Sequence, residues 1–291
     1  MSNRRPGEEE QARQGVLERC HVVVPGVSAE WAPLVDALTG ALRDHFRQVA
    51  VWPAGESEAV QVEWIRSLPA GEPVLVVPAR GAGEALAREL AGRIAVLAER
   101  YLPATRFDAF VVENYRAGYL AGKHLVNLKH RRIAYLGPEP GTTSHDERLR
   151  GFRQALLHNG RELPEERVRQ VPATLGAGQQ ACEELLAAAE PPTALFAASE
   201  SLAAAVLDVL EKRGLRVPGD VAVVGYGDGL LARALRPRLT TVAPPLAQLA
   251  RGAAQRLAEL ARAGTPAGER RAEPERLPPR LIIRASCGMG A

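Results

Sequence analysis

Short apolar runs alternate along the chain with segments of helical spacing, and the rhythm runs twice. The first series is Cys20–Pro25, Gln48–Trp52, Pro73–Pro78, Ile94–Ala98 and Ala109–Glu113. The second is Arg131–Gly137, Thr193–Ala198, Asp220–Tyr226 and Leu239–Val242. Between the first two runs, Leu34, Leu38, Leu42 and Phe46 repeat on one helical face. Further helices are expected over about 83–90, 114–128, 145–158, 179–189 and 201–213. One long helix should follow Val242 to about Ala263, and a last strand should cover Arg280–Ala285. Strands that are apolar without alternation are buried on both faces, which implies parallel sheets covered by helices. Two series of about equal length imply two doubly wound α/β lobes. Ligands in such folds sit outside the carboxyl ends of the strands. With two lobes, that predicts a site in the cleft they form.

A chain of 291 residues is long enough for this plan without staples. Its three cysteines are odd in number and widely spaced, with no CxxC, so neither a disulfide framework nor a zinc site is expected. A reducing cytosol is the natural compartment. Residues 1–18 read as a polar, disordered tail with no apolar core of a secretory signal. No apolar run approaches the roughly 18 residues of a membrane span. The net charge of +3 is spread thinly and forms nothing like a nucleic-acid tail. Chemistry-bearing motifs are missing too: there is no GxSxG, HExxH or GxxxxGK[ST]. Gly225–Gly229 looks like a phosphate loop only in its glycines, because Leu230 and Leu231 stand where a lysine and a hydroxyl are needed. Arg80–Leu86 follows a strand but lacks the third glycine of a dinucleotide loop. His124 and His130 read as structural, Trp52 and Trp64 as core, and the Arg/Glu stretch Gly268–Arg276 as a solvated loop. No catalysis, cofactor or metal is expected.

From Val111 onward the sequence resembles the effector domain of the lactose/galactose-repressor family. Val111–Gly137 is similar to that family's strand, Asp-Asn and helix signature, Asp146–Phe152 to its "eRl.GF", and Pro191–Asp228 to its long segment ending in "vavvGfdd". Leu235–Leu257 and Leu277–Gly288 match its closing segments. The pieces occur in order, at the right spacing, over about residues 20–288. The resemblance implies a periplasmic-binding-protein-like type I fold, with two lobes joined by a three-segment hinge. Carried over, the first lobe holds 19–129 plus 244–275, and the second 130–243 plus 276–288. The family's helix-turn-helix finds no counterpart before the first strand, so DNA contact is expected only if such a module is missing from this sequence.

The same resemblance nominates site residues. Arg148 matches a cleft arginine, whose rigid donor fork suits vicinal hydroxyls or a carboxylate; the alternatives are a surface arginine or an ion pair with Asp146 or Glu147. Glu113 stands where relatives carry Asp, and it either accepts ligand hydroxyls or lies at the start of the next helix as a cap. Ser199, with Glu200, replaces an Asn-Asp pair and either donates to ligand or caps a helix. Asp228 keeps the second Asp of the family pair, while Gly227 replaces the first and is expected to leave space for a larger ligand. Trp31 either stacks on a ligand or packs on its own lobe.

These features imply a cytoplasmic small-molecule sensor. A sugar-like or nucleobase-like effector would close the lobes and change the geometry of a homodimer. Other readings are a solute-binding protein serving a transporter, which would need a secretory signal, or a sensor acting through a protein partner. An α/β enzyme is disfavoured by the missing nucleophile–base set.

Overall fold

The computed structural model describes residues 16–28, 30–267 and 273–288. Most of the expected disordered tail, residues 1–15, lies outside them, but Leu17 and Glu18 already belong to the first strand.

The chain divides into two units, residues 1–111 with 246–276 and residues 112–245 with 277–291. The first contains β1 (Leu17–Val24), β2 (Phe46–Pro53), β3 (Val74–Val76), β4 (Ala95–Ala98) and β5 (Ala109–Val112), the last residue of which reaches into the second unit. Its helices are α1 (Ala32–Leu42), α2 (Glu58–Ser67), α3 (Glu84–Leu90) and, after the chain returns, α9 (Leu246–Ala263). The strands lie in the order β11-β5-β4-β3-β1-β2, where β11 is Glu275–Leu277. Successive pairs from β1 through β5 are parallel. Every side chain of β3, β4 and β5 is buried, as unalternated runs require. Leu34, Leu38 and Leu42 turn inward from α1, and Trp52 and Trp64 pack on the core with ring centroids 4.7 Å apart.

The second unit contains β6 (Ile133–Pro138), β7 (Val168–Val171), β8 (Ala194–Ala197), β9 (Ala222–Tyr226), β10 (Thr240–Ala243) and β12 (Arg280–Ile282), ordered β12-β10-β9-β8-β6-β7. All pairs are parallel except β10 with β12, which returns antiparallel at one edge. The helices are α4 (Asn114–Asn127), α5 (Thr143–Leu157), α6 (Leu175–Leu186), α7 (Glu200–Lys212) and the short α8 (Leu230–Ala234). Thr142, Thr174 and Ser199 cap α5, α6 and α7, each accepting a backbone N–H three residues on.

Three expectations are corrected. Residues 112–129, assigned to the first lobe, lie in the second unit. The reason is a glycine contact between α4 and α5: a Cβ on Gly118 would stand 1.8 Å from the Arg148 carbonyl oxygen, and one on Gly151 1.8 Å from that of Tyr115. The two helices touch backbone to backbone and cannot belong to separate cores. Second, the solvated stretch 268–276 ends in strand: 268–272 are outside the described residues, but Glu275 and Arg276 belong to β11 beside β5. Third, the last strand stops at Ile282, and Ala285–Cys287 form a 3-10 turn. There Ser286 Oγ donates to Val223 O at 2.6 Å and accepts from Thr240 N at 2.8 Å, replacing strand pairing by side-chain bonds.

Candidate functional site

Arg148 is carried on α5, which starts where the chain leaves the carboxyl end of β6. Thr142 Oγ1 caps that helix, accepting from His145 N at 3.1 Å. The Arg148 side chain is 2% exposed. Its Nη1 donates to Ala198 O at 2.8 Å, just past β8, and its Nη2 to Asn114 Oδ1 at 2.7 Å, the first residue of α4. Its Cζ lies 3.4 Å from the ring centroid of Tyr226, the last residue of β9. One guanidinium thus ties together the carboxyl ends of β8 and β9 and the start of α4. The ion pair with Asp146 or Glu147 is not made: among the described residues no carboxylate lies within 4.0 Å of the Arg148 nitrogens, and Nε has no hydrogen-bond partner. Burying a cation costs several kcal/mol even after relaxation. Stacking on an aromatic face returns about 0.5–2 kcal/mol, so neutral neighbours offset the cost only in part.

The other nominated residues surround this cluster in different ways. Glu113 precedes α4 but its carboxylate makes no capping bond. It turns instead to Arg116 at 3.3 Å. Its backbone N–H donates to Leu277 O at 2.9 Å. Ser199 adjoins Ala198 and caps α7, accepting from Leu202 N at 3.3 Å. Asp228 is held between Arg233, at 2.9 Å, and Arg284. Arg284 is itself anchored: Nη1 donates to Leu239 O and the backbone N–H to Thr240 Oγ1, each at 2.8 Å.

Gly227 does not leave the space expected of it. Its φ is +104°, and a Cβ there would lie 2.7 Å from both Cγ and Oε1 of Glu200. The Glu200 carboxylate occupies the position, receiving the backbone N–H groups of Gly229, Leu231 and Ala232. Burial pushes its pKa up, and the backbone donors oppose that rise. Burial likewise raises Tyr135, where the charge of Arg148 pulls the other way.

Trp31 belongs to the first unit, immediately before α1. Its ring faces Arg100, whose Cζ is 4.9 Å from the centroid. Arg100 is 2% exposed and grips Glu56 with both Nη atoms, at 2.8 and 2.9 Å, while Nη1 also donates to Pro78 O at 2.8 Å. Trp31 therefore covers a half-buried ion pair of its own unit. Sequence reasoning missed Arg100, Asn114 and Tyr226. Each follows or ends an apolar strand at its carboxyl end, the one signal that could have found them.

Two histidines serve the frame, His124 buried and His130 half-buried. His124 Nε2 lies 3.2 Å from Cys287 Sγ, which also receives Thr240 Oγ1 at 3.0 Å. His130 Nδ1 lies 3.1 Å from Thr193 Oγ1. Burial lowers the pKa of both. Among the described residues, no group of three or more His, Cys, Asp or Glu side chains is placed to hold a metal ion. No described helix is long and apolar enough to cross a membrane.

Comparison with known proteins gives this arrangement a lineage. Residues 123–287 match the family model described as a periplasmic binding protein-like domain. The HTH-type transcriptional regulator DegA of Bacillus subtilis (strain 168) is 35% identical over 185 residues, 63% of this chain and 53% of that protein. CelR of Thermobifida fusca, another HTH-type transcriptional regulator, is 37% identical over 158 residues, 54% of this chain and 46% of its own. The chain thus spans about half the length of the curated relatives it matches. A solved complex of the transcriptional regulator CelR with cellobiose superimposes with a TM-score of 0.81 at 27% identity, covering 98% of this chain and 92% of that one. With the family model matching most of the second unit and the fold matching almost throughout, the chain belongs to the periplasmic binding protein-like family, on its lactose/galactose-repressor branch.

Proposed function

We propose that this chain is the small-molecule-sensing domain of a transcriptional regulator and that Arg148 is the residue on which the effector is seated. The observation that carries the reading is the buried guanidinium at the carboxyl ends of β8 and β9, held in a fixed plane by Ala198, Asn114 and Tyr226. A planar fork whose position is set before ligand arrives loses little freedom on binding. The relatives support the same reading, since they are named as transcriptional regulators, and a structurally similar transcriptional regulator was solved as a cellobiose complex. None of the site residues forms a nucleophile–base pair, so binding rather than turnover is the activity. The domain acts in the cytoplasm as a homodimer. Recognition of DNA falls to a helix-turn-helix module of the kind its relatives' names record, and effector binding alters how that module is presented. Transporter feeding has no observation in its favour, because the matched relatives are regulators.

The test is calorimetry and thermal unfolding of the purified chain against a broad panel of metabolites. A ligand at 100 times its Kd adds about 2.7 kcal/mol of stability. That is a rise in Tm on the order of 5 °C, and it should vanish in Arg148→Gln. A ligand that binds wild type and Arg148→Gln equally would remove Arg148 from the site.

A further inference from the structure

Four described helices end in the same hydrogen-bonded turn, and one of them does so without a glycine. After α5, α7 and α9 the left-handed residue is Gly160, Gly214 or Gly264, with φ of +65°, +68° and +60°. The N–H that follows each reaches back to a helix carbonyl, as Arg161 N does to Leu156 O at 3.0 Å. After α4 the turn is the same: Lys129 N donates to Val126 O at 2.9 Å and His130 N to Leu125 O at 3.3 Å. Here, however, the left-handed residue is Lys129, with φ +69°. A Cβ is crowded in that conformation and glycine has none, so the lysine weakens its own helix end.

Nothing in the chain answers the charge that Lys129 brings. It is exposed, and among the described residues no carboxylate lies within 4.0 Å of its Nζ. A cation does gain from the negative end of a helix, but this end already has others. Arg131 and Arg132 follow at once, and Arg161 lies close enough to His130 for its charge to act on that imidazole. None of these three arginines is ion-paired among the described residues, and Arg161 Nε is buried without a hydrogen-bond partner. Arg132 is fixed in place, its Nε donating to Pro191 O at 2.9 Å and its carbonyl accepting from Thr193 N at 2.8 Å. Acids on the flanking loops are engaged elsewhere, Glu165 with Arg153 and Glu190 with Arg167, and Glu162 makes no ion pair with a described residue. The cluster stands at the amino ends of β6 and β8, the opposite end of the sheet from Arg148 and its partners.

Backbone strain and unrelieved like charge together mark a place kept for binding rather than for stability. We propose that Lys129, Arg131, Arg132 and Arg161 form a docking surface for an acidic peptide segment of another protein. Two observations favour a peptide over DNA. Leu157, in the last turn of α5, is 60% exposed and offers an apolar contact beside the cations. The carboxyl ends of α4 and α5 also carry partial negative charge. Backbone N–H groups of a peptide can meet it, whereas the sugar–phosphate backbone of DNA has no donors.

The experiment is fluorescence anisotropy of the purified chain with a labelled peptide, Asp-Glu-Leu-Asp-Glu-Leu-Asp-Glu, at low salt. A second peptide has glycine in place of both leucines, and an oligothymidylate of equal charge is the nucleic-acid arm. Arg131→Gln with Arg132→Gln should weaken peptide binding about tenfold, and Lys129→Gly about threefold. Arg43→Gln with Arg251→Gln, the same loss of charge in the first unit, should change it less than about twofold. Lys129→Gly should at the same time raise the Tm of the unliganded chain, a gain in stability with a loss of binding that a structural lysine would not give. The glycine peptide should bind a few-fold more weakly than the leucine peptide, and Leu157→Ser should abolish that difference. No binding of either peptide overturns the proposal. So does equal weakening by the control pair, which would reduce the effect to overall charge. A lower Tm in Lys129→Gly would return the lysine to the fold, and oligothymidylate binding more tightly than peptide through the same arginines would assign the surface to nucleic acid.

Discussion

His124 and His130 show how a residue can be legible in kind but not in consequence. Six residues apart and so on different helical faces, they read as structural, but only the fold reveals that burial holds both imidazoles below their ordinary pKa. A lowered folded-state pKa means that the folded protein binds the proton less readily than the unfolded chain. Their contribution to stability is present above the ordinary imidazole pKa and is lost as pH falls through the folded value. Urea unfolding at pH 7.5 and pH 5.5 should therefore show a lower midpoint at the acid end. His124→Gln, compared with wild type, should lose part of that pH dependence even though it weakens the contact to Cys287. An unchanged pH slope in the variant would show that His124 is not among the groups that titrate on unfolding. Arg148 is the converse case. Its candidacy was readable from the sequence around it, but its partners Asn114 and Ala198 stand 34 and 50 residues away. Local pattern cannot show such pairs, nor that Ser199 spends its hydroxyl on Leu202 N.

At the scale of elements, the strands buried on both faces were legible because nothing but a covered parallel sheet tolerates unbroken apolar runs. What escaped was peripheral. The β7 strand reads Val-Arg-Gln-Val and is an edge strand of intermediate exposure, so its pattern resembles a loop. Strand β11 is three residues long and helix α8 five, too short for periodicity to speak. The crossing of α4 and α5 escaped for another reason. Glycines at Gly118, Gly122 and Gly151 look like weak helix formers, and only the contact shows that they admit a backbone-to-backbone approach. The same crossing sets the guanidinium, since the Gly118 Cα faces the carbonyl of Arg148 itself. Gly151→Ala should therefore cost about 3 kcal/mol or more, because the obstacle is backbone rather than a movable side chain. Gly176→Ala in α6, with nothing within 4 Å of the added methyl, should instead stabilise by about 0.5–1 kcal/mol. Urea midpoints of the two variants check both signs. A tolerated Gly151→Ala would mean that the helices can part, and with them the seat of Arg148.

For the whole molecule, the two-lobe plan could be read directly, whereas the partition of the chain could not, because α4 follows a strand of one sheet and packs under the other. The state of assembly is a separate question with its own physical handle. Leu230 is 81% exposed on α8, the most exposed of the large apolar side chains among the described residues. A five-residue helix has little stability of its own. This one is fixed all the same, by Glu200 on its first N–H groups and by Asp228 bridging Arg233 and Arg284. Single exposed leucines are ordinary on a protein surface. A leucine displayed on a short helix that three charged side chains hold in place is better suited to a subunit contact. The expected outcome is a homodimer by light scattering at micromolar concentration. Leu230→Glu should shift it toward monomer, because burying an unpaired carboxylate in an isologous contact places two like charges near the symmetry axis. Loss of dimer in Leu230→Glu with unchanged thermal unfolding of the monomer would assign the contact to α8. A wild-type chain that is monomeric at those concentrations would remove the dimer from the proposed mechanism, and effector binding would then have to act within one chain.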